Sequence, residues 1–191
     1  KKLKTKWFYL SSLVGDSFET LKELAKYAKK NDIKIAFNPS SYLAKRGKKY
    51  LKPILDNTEV LVFNREEAQF LIGKREKSAK KLIKEVKKTG PKQVVITNGP
   101  GDVYALDDDK LLRLRPNKKK VKEATGSGDA FGAGYVAGQI KGEDMRYSLR
   151  LGLCQAESVL THYGAKNKLL TMEEDKQKID ENPGKVKKKK K

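Results

Sequence analysis

The sequence predicts an α/β fold, with a mostly parallel sheet flanked by helices, from three observations. Short apolar runs alternate with helix-length amphipathic stretches along most of the chain. The runs are apolar throughout rather than every second residue, as strands covered on both faces require. A hairpin signal appears only late, at 102–116.

The elements follow in order. KWFYLSSL (6–13) reads as a buried strand. In DSFETLKELAKYAKKND (16–32), Phe18, Leu21, Leu24, Ala25 and Ala28 form one stripe, which predicts a helix capped by Asp16 or Ser17. IKIAFNP (33–39) is a second strand stopped by Pro39, and RGKKYLKPILDN (46–57) a short helical segment containing Pro53. EVLVFN (59–64) is a third strand. Helices REEAQFLIG (65–73) and KSAKKLIKEVKKTG (77–90) end at Gly73 and Gly90. KQVVITNG (92–99) is a fourth strand, and DVYALDDDKLLRLRP (102–116) a hairpin turning at 107–110. Two helices follow, over about 126–141 and 144–162.

The chain has 191 residues, 37% of them hydrophobic and 36% charged, enough for one core over residues 1–170. No apolar run reaches the roughly 18 residues of a membrane span, and no secretory segment opens the sequence. Cys154 is the only cysteine, so a disulfide framework and a thiolate cluster are excluded. The only histidine, His162, reads as a polar residue at a helix end. A cytoplasmic protein with no membrane partner is expected.

The formal net charge is +20. Lys185 and Lys187 to Lys191 supply +6, and Lys1, Lys2, Lys4 and Lys6 supply +4, leaving +10 for residues 7–184. Residues 171–191 read as a basic, disordered tail. The lysines are not interleaved with aromatics, so specific nucleic-acid recognition is not expected. A weakly DNA- or RNA-associated basic module would show a steep salt slope, lost with residues 185–191. The positive field favours an anionic ligand such as a nucleotide.

Function concentrates in EATGSGDAFGAG (123–134). A dinucleotide fingerprint needs G-x-G-x-x-G after a buried strand. Here Gly126, Gly128 and Gly132 are spaced one residue too long, Phe131 takes the third glycine's place, and a charged segment precedes them. No lysine follows the glycines as a Walker A loop requires. Gly126, Ser127 and Gly128 instead sit where a helix begins, and its first amides and dipole favour an anion. Asp129, in the first turn, is either a helix-start acid stabilised by the dipole or a base beside the anion cradle. Small residues for close helix packing are the plain structural alternative for the whole stretch.

The same stretch resembles the second signature of the ribokinase-like, or PfkB, sugar kinases, roughly D-T-x-G-A-G-D-x-F. Three further segments resemble that family in the expected order: FNREEAQFLIG (63–73), with Asn64 and Glu67 in the N-x-x-E positions; VVITNGPGDVYA (94–105), with Thr97 and Gly99 in T-x-G; and SVLTHYGA (158–165).

The resemblance covers residues 7 to about 170. It implies a ribokinase-like three-layer sandwich without the amino-terminal strands and lid, and an ATP-dependent kinase acting on a hydroxyl of a sugar or nucleoside. Asp129 would be the base, and the amides of Gly126, Ser127 and Gly128 the anion hole. Asn64 and Glu67 would hold Mg²⁺ and phosphates through water. Thr97, Gly99 and Gly101 would line the nucleotide, and the helix around Ser158 would flank its adenine. Glu123 stands where the family usually has Asp, near a monovalent-cation site in some relatives, and Ala124 replaces a common threonine.

The chain is expected to be the carboxy-terminal, nucleotide-binding part of such a kinase. If it is complete, an exposed sheet edge invites homo-oligomerisation. Two functional classes stand: a kinase, and a protein of the same fold that binds nucleotide or anion without turnover.

Overall fold

The computed structural model describes residues 3–181 and 187–189, in two compact units. The first runs to Ile96 and includes 106–110; the second holds 97–105 and the chain from Leu111 onward.

In the first unit, β1 (Trp7–Leu10), β2 (Lys34–Phe37) and β3 (Val60–Asn64) form a parallel ladder, with Phe8 opposite Ile35 and Ala36 opposite Val60. The start of β4 (Gln93–Thr97) lies beside β3, where Gln93 N donates to Glu59 O at 2.8 Å. β2 and β3 are the buried strands: Ile35, Phe37, Val60 and Leu61 have no exposed surface. β1 departs from its sequence reading. Trp7 and Phe8 are half-buried and Tyr9 is 42% exposed, because among the described residues β1 pairs with β2 alone.

Helices α1 (Ser17–Lys30), α2 (Ser41–Lys45), α3 (Gly47–Leu55), α4 (Arg65–Ile72) and α5 (Ala79–Lys87) connect these strands. The α1 stripe buries Phe18, Leu21, Ala25 and Ala28, while Leu24 is half-buried. Asp16 precedes α1 but its side chain makes no capping bond. α5 is capped by Ser78, whose Oγ accepts from Lys81 N. The five-residue α2 has no sequence counterpart above; it is too short for a periodic pattern.

β5 (Val103–Leu106) and β6 (Leu111–Leu114) are the strands of the expected hairpin. Asp107 closes its turn by accepting from Asp109 N and Lys110 N at 2.9 and 2.6 Å. Helices α6 (Ser127–Ile140) and α7 (Met145–Leu160) pack at backbone distance. A Cβ at Gly134 would stand 3.0 Å from Gly152 Cα and Leu151 O, and one at Gly138 2.6 Å from Ser148 Oγ. Close packing therefore explains the later glycines of this helix.

Residues 172–181, read as part of a disordered tail, form α8 (Met172–Glu181). A reciprocal cap starts it: Thr171 Oγ1 accepts from Glu174 N at 3.2 Å, and Glu174 Oε2 from Thr171 N at 2.8 Å. Gln155 of α7 then fastens the segment, exchanging two bonds with the Leu170 backbone and donating to Asp175 Oδ2. Residues 187–189 form β7 (Lys187–Lys189), antiparallel to β6; the rest of the expected tail, 182–186 and 190–191, lies outside the described residues. Among the described residues, no helix is long and apolar enough to cross a membrane.

Asp175 has no exposed surface, and its Oδ1 is a buried atom without a hydrogen-bond partner. Burial pushes its carboxyl up to about 6, against the bond from Gln155 and the charge of Lys178. An acid whose folded pKa is raised loses stability as pH climbs from its unfolded value towards the folded one. The loss is complete above pH ~6 and on the order of 3 kcal/mol. Asp175→Asn keeps an oxygen for Gln155 and removes the charge. The variant should melt close to the wild type at pH 4 and clearly above it at pH 7.5, read by circular dichroism; equal melting at both would show that Asp175 is not the group responsible.

Candidate active site

In the second unit, helix α6 opens on a left-handed turn. Gly126 is its N-cap, with φ 78°. A Cβ there would lie 2.0 Å from Ala165 O and 2.7 Å from Ala165 Cα. No side chain fits that gap, so the position requires glycine on both conformational and steric grounds. The segment pressing on it is the loop that leaves α7.

The same loop is tied a second time. Glu123 Oε2 accepts from Gly164 N at 2.7 Å. That bond and one from the Thr125 hydroxyl hold the Glu123 carboxyl below the usual carboxylate range. Glu123 thus does definite structural work before any cation is considered.

Gly128 has nothing within 4 Å of where its Cβ would be, so a ligand has free approach to the first turn. Ser127 is less free than the sequence suggested: its N and Oγ both donate to Ala124 O, at 3.2 and 2.7 Å. Asp129 is exposed and lines an open hollow with Gly126, Gly164, Ala165, Lys166 and Asn167. An acid, free helix-start amides and a lysine around one hollow suit an anion and a hydroxyl together.

Thr97 ends β4, and a tight turn follows, with Gly101 N donating to Asn98 O at 2.8 Å. A Cβ on Gly101 would meet Asn98 Nδ2 at 2.4 Å, a side-chain end that can move aside, and Asn98 O at 3.0 Å. Ser158 is 6% exposed near the end of α7; its carbonyl accepts from Thr161 N and Oγ1. His162 N donates to Val159 O just past the helix, the end position the sequence predicted.

In the first unit, Asn64 and Glu67 form a reciprocal cap on α4. Asn64 Oδ1 accepts from Glu67 N, and Glu67 Oε2 from Asn64 N, both at 2.9 Å. Ser41 Oγ donates to Glu67 Oε1 at 3.2 Å, a partner absent from the sequence reading. Both are half-buried and offer hard oxygen donors, which fit Mg²⁺ that keeps part of its water shell. Among the described residues there is no cluster of three or more His, Cys, Asp or Glu that could hold a metal by itself.

Sequence reasoning also missed Glu157. It is 7% exposed on α7, and its carboxylate takes Asn117 N at 2.7 Å and Asn117 Nδ2 at 3.1 Å. Forty residues separate the partners, so no local spacing could have marked the pair.

The sequence matches the pfkB family carbohydrate kinases over residues 4–172. It is 31% identical to an uncharacterized sugar kinase of Archaeoglobus fulgidus over 135 residues, covering 71% of this chain and 53% of that one. It is 31% identical to a cytidine kinase of Thermococcus kodakarensis over 170 residues, covering 85% and 58%. The fold is shared with Arabidopsis thaliana ribokinase complexed with ribose and ATP, at a TM-score of 0.78 and 19% identity, covering 90% of this chain and 55% of that one. The chain thus spans a little over half the length of these relatives. It belongs to the pfkB family of carbohydrate kinases.

Proposed function

We propose that the protein is the nucleotide-binding and phosphoryl-transfer portion of an ATP-dependent kinase whose acceptor is a hydroxyl of a sugar or nucleoside. The observation that carries this is the glycine-dependent turn at Gly126, with Asp129 the third residue of the helix it opens.

Phosphoryl transfer asks a protein chiefly for positioning and for stabilisation of charge on the moving group. The amides of Gly126 and Gly128 would donate to that group, with Ser127 N shared with Ala124 O. The Asp129 carboxylate would accept the proton of the attacking alcohol as its oxygen bonds to the γ-phosphorus and the bond to ADP breaks. Thr97, Gly99 and Gly101 would lie along the nucleotide, and the Ser158 stretch of α7 beside its base. Asn64 and Glu67 would hold Mg²⁺ through water, and the metal would neutralise phosphate charge. A monovalent cation near Glu123 would have to share a carboxylate already bonded to Gly164 N.

A cytoplasmic setting belongs to the same reading. So does self-association. A second reading is nucleotide binding without turnover.

Calorimetry with ATP and Mg²⁺, then ADP release with a panel of sugars and nucleosides, separates the two readings. Acceptor-dependent ADP release supports the kinase; binding alone supports the second reading; no binding by the folded chain sinks both. In an active preparation, Asp129→Asn should cut turnover about 10²–10⁴-fold and leave ATP affinity within a few-fold. Retained turnover would remove Asp129 as the base.

Gly126→Ala should be the more damaging change. It forces a side chain into a left-handed backbone and against the Ala165 carbonyl, costing about 1–3 kcal/mol or more. Thermal melting and ATP affinity should both fall. An Ala variant that melts and binds like the wild type would show that the turn is not needed.

A further inference from the structure

Helix α8 packs against α7, and little of its grip is apolar. Ile179 is its buried apolar residue, while Met172 is 42% exposed. The remaining contacts are polar. Gln155 of α7 bonds the Leu170 backbone and Asp175 Oδ2, and Arg150 gives its guanidinium to Ile179 O. Asp175 lies within this contact with no exposed surface, and its Oδ1 has no hydrogen-bond partner. We propose that α8 is a strap across α7, closed while Asp175 is neutral and released when its carboxyl ionises.

The geometry calls for the neutral form. A carboxylate out of water needs pairing and hydrogen bonds on its oxygens. Here one oxygen has an amide donor from Gln155 and the other has none. The surrounding groups do not make up the difference. On α8 itself, Lys178 is exposed and Glu174 adds a like charge. On α7, Tyr147 and the Cys154 thiol are neutral, because burial first of all pushes both up, the thiol to about 11. Arg150 is engaged with Ile179 O, and Glu157 with Asn117. His162, past the end of α7, bonds Thr161 and Ser158 O rather than α8.

Burial lifts the docked carboxyl to about 6 from an ordinary value of 3.8, so complete ionisation favours release about a hundredfold. Docking is strongest below pH ~4 and weakens as pH rises to ~6. A ten-residue helix is too short to persist alone in water, so a released α8 unfolds locally. Lys178 and Glu181 of α8 line a cavity of about 300 Å³ together with Cys154 of α7. Release removes that wall and uncovers the thiol, which makes access to this cavity depend on pH.

Cys154 is the only cysteine, so its labelling by 4,4′-dithiodipyridine reports the strap. The rate on the folded chain is divided by the rate on the urea-unfolded chain at the same pH. At pH 7.5 the wild type should label about tenfold or more faster than Asp175→Asn, and at pH 4 the two should agree within about threefold. The Asp175 charge by itself holds the thiol protonated, so removing it would speed labelling, the opposite of the expected result. The pH 7.5 rate should also change little in about 1 M urea, because local opening exposes little surface. Should Asp175→Asn not fold, Asp175→Leu, also neutral, makes the same comparison. Equal labelling of wild type and a folded variant at pH 7.5 overturns the strap, as does labelling that climbs with urea as steeply as global unfolding. Failure of both neutral variants to fold would show that the fold needs the ionised carboxyl, and overturns it too.

Discussion

The contact between Gly126 and Ala165 is the constraint on which the candidate site depends. A backbone carbonyl occupies the space that any other residue's Cβ would need. The loop after α7 can therefore lie across the start of α6 only while position 126 is glycine. The bond from Gly164 N to Glu123 fastens the same two segments from the other side. Together they hold the helix start open towards a ligand. The free amides of a helix N-terminus have no strong directional partner of their own. They bind an anion well only where the turn before them is rigid, and here rigidity comes from contact between two stretches about forty residues apart.

The proposed functional role of the glycines is compatible with their structural one. Gly126 serves the turn, and Gly128 leaves space over the first helical turn. Gly134 and Gly138 let α6 and α7 approach at backbone distance, with Gly152 answering from α7. The close helix pair fixes the direction of α6, and so where its dipole points. Packing and the proposed anion binding thus call on one composition for two purposes within a single helix.

What the sequence revealed and what it hid divide along physical lines. The hairpin and the helices after it were legible because turn chemistry and small-residue runs are local. The signature around Asp129 was legible because its spacing is fixed by one turn. Helix α8 was hidden by its composition. Only Met172 and Ile179 among its ten residues are apolar, so it resembles a solvated tail. Its docking rests on Gln155 and the buried Asp175, a polar contact that no hydrophobic period records. The Thr171–Glu174 cap was a readable start signal, outweighed by the lysines beyond it. β1 misled in the opposite sense: four apolar or aromatic residues look buried, yet a strand's burial is decided by its neighbours. Glu157 was invisible for the same reason, since a helical acid is buried or solvated according to what lies opposite.

Asn64 and Glu67 show why a structural role does not compete with a functional one. Each closes a hydrogen bond in the α4 cap, and Ser41 adds a third contact to Glu67. A free glutamate spreads over many rotamers, and ordering it at the moment of binding costs up to about 1.5–2 kcal/mol. The cap meets that cost during folding. The cap bonds Oε2 and Ser41 bonds Oε1, so both Glu67 oxygens are held in place. A carboxylate fixed in this way cannot close around a bare ion as a full ligand set would. It can orient a hydrated one, which is how Mg²⁺, slow to shed its waters, is best held. The capping geometry and the proposed Mg²⁺ role therefore make the same demand on the side chain, and the N-x-x-E spacing satisfies both because the third residue of a helix is the one that can reach back to its cap.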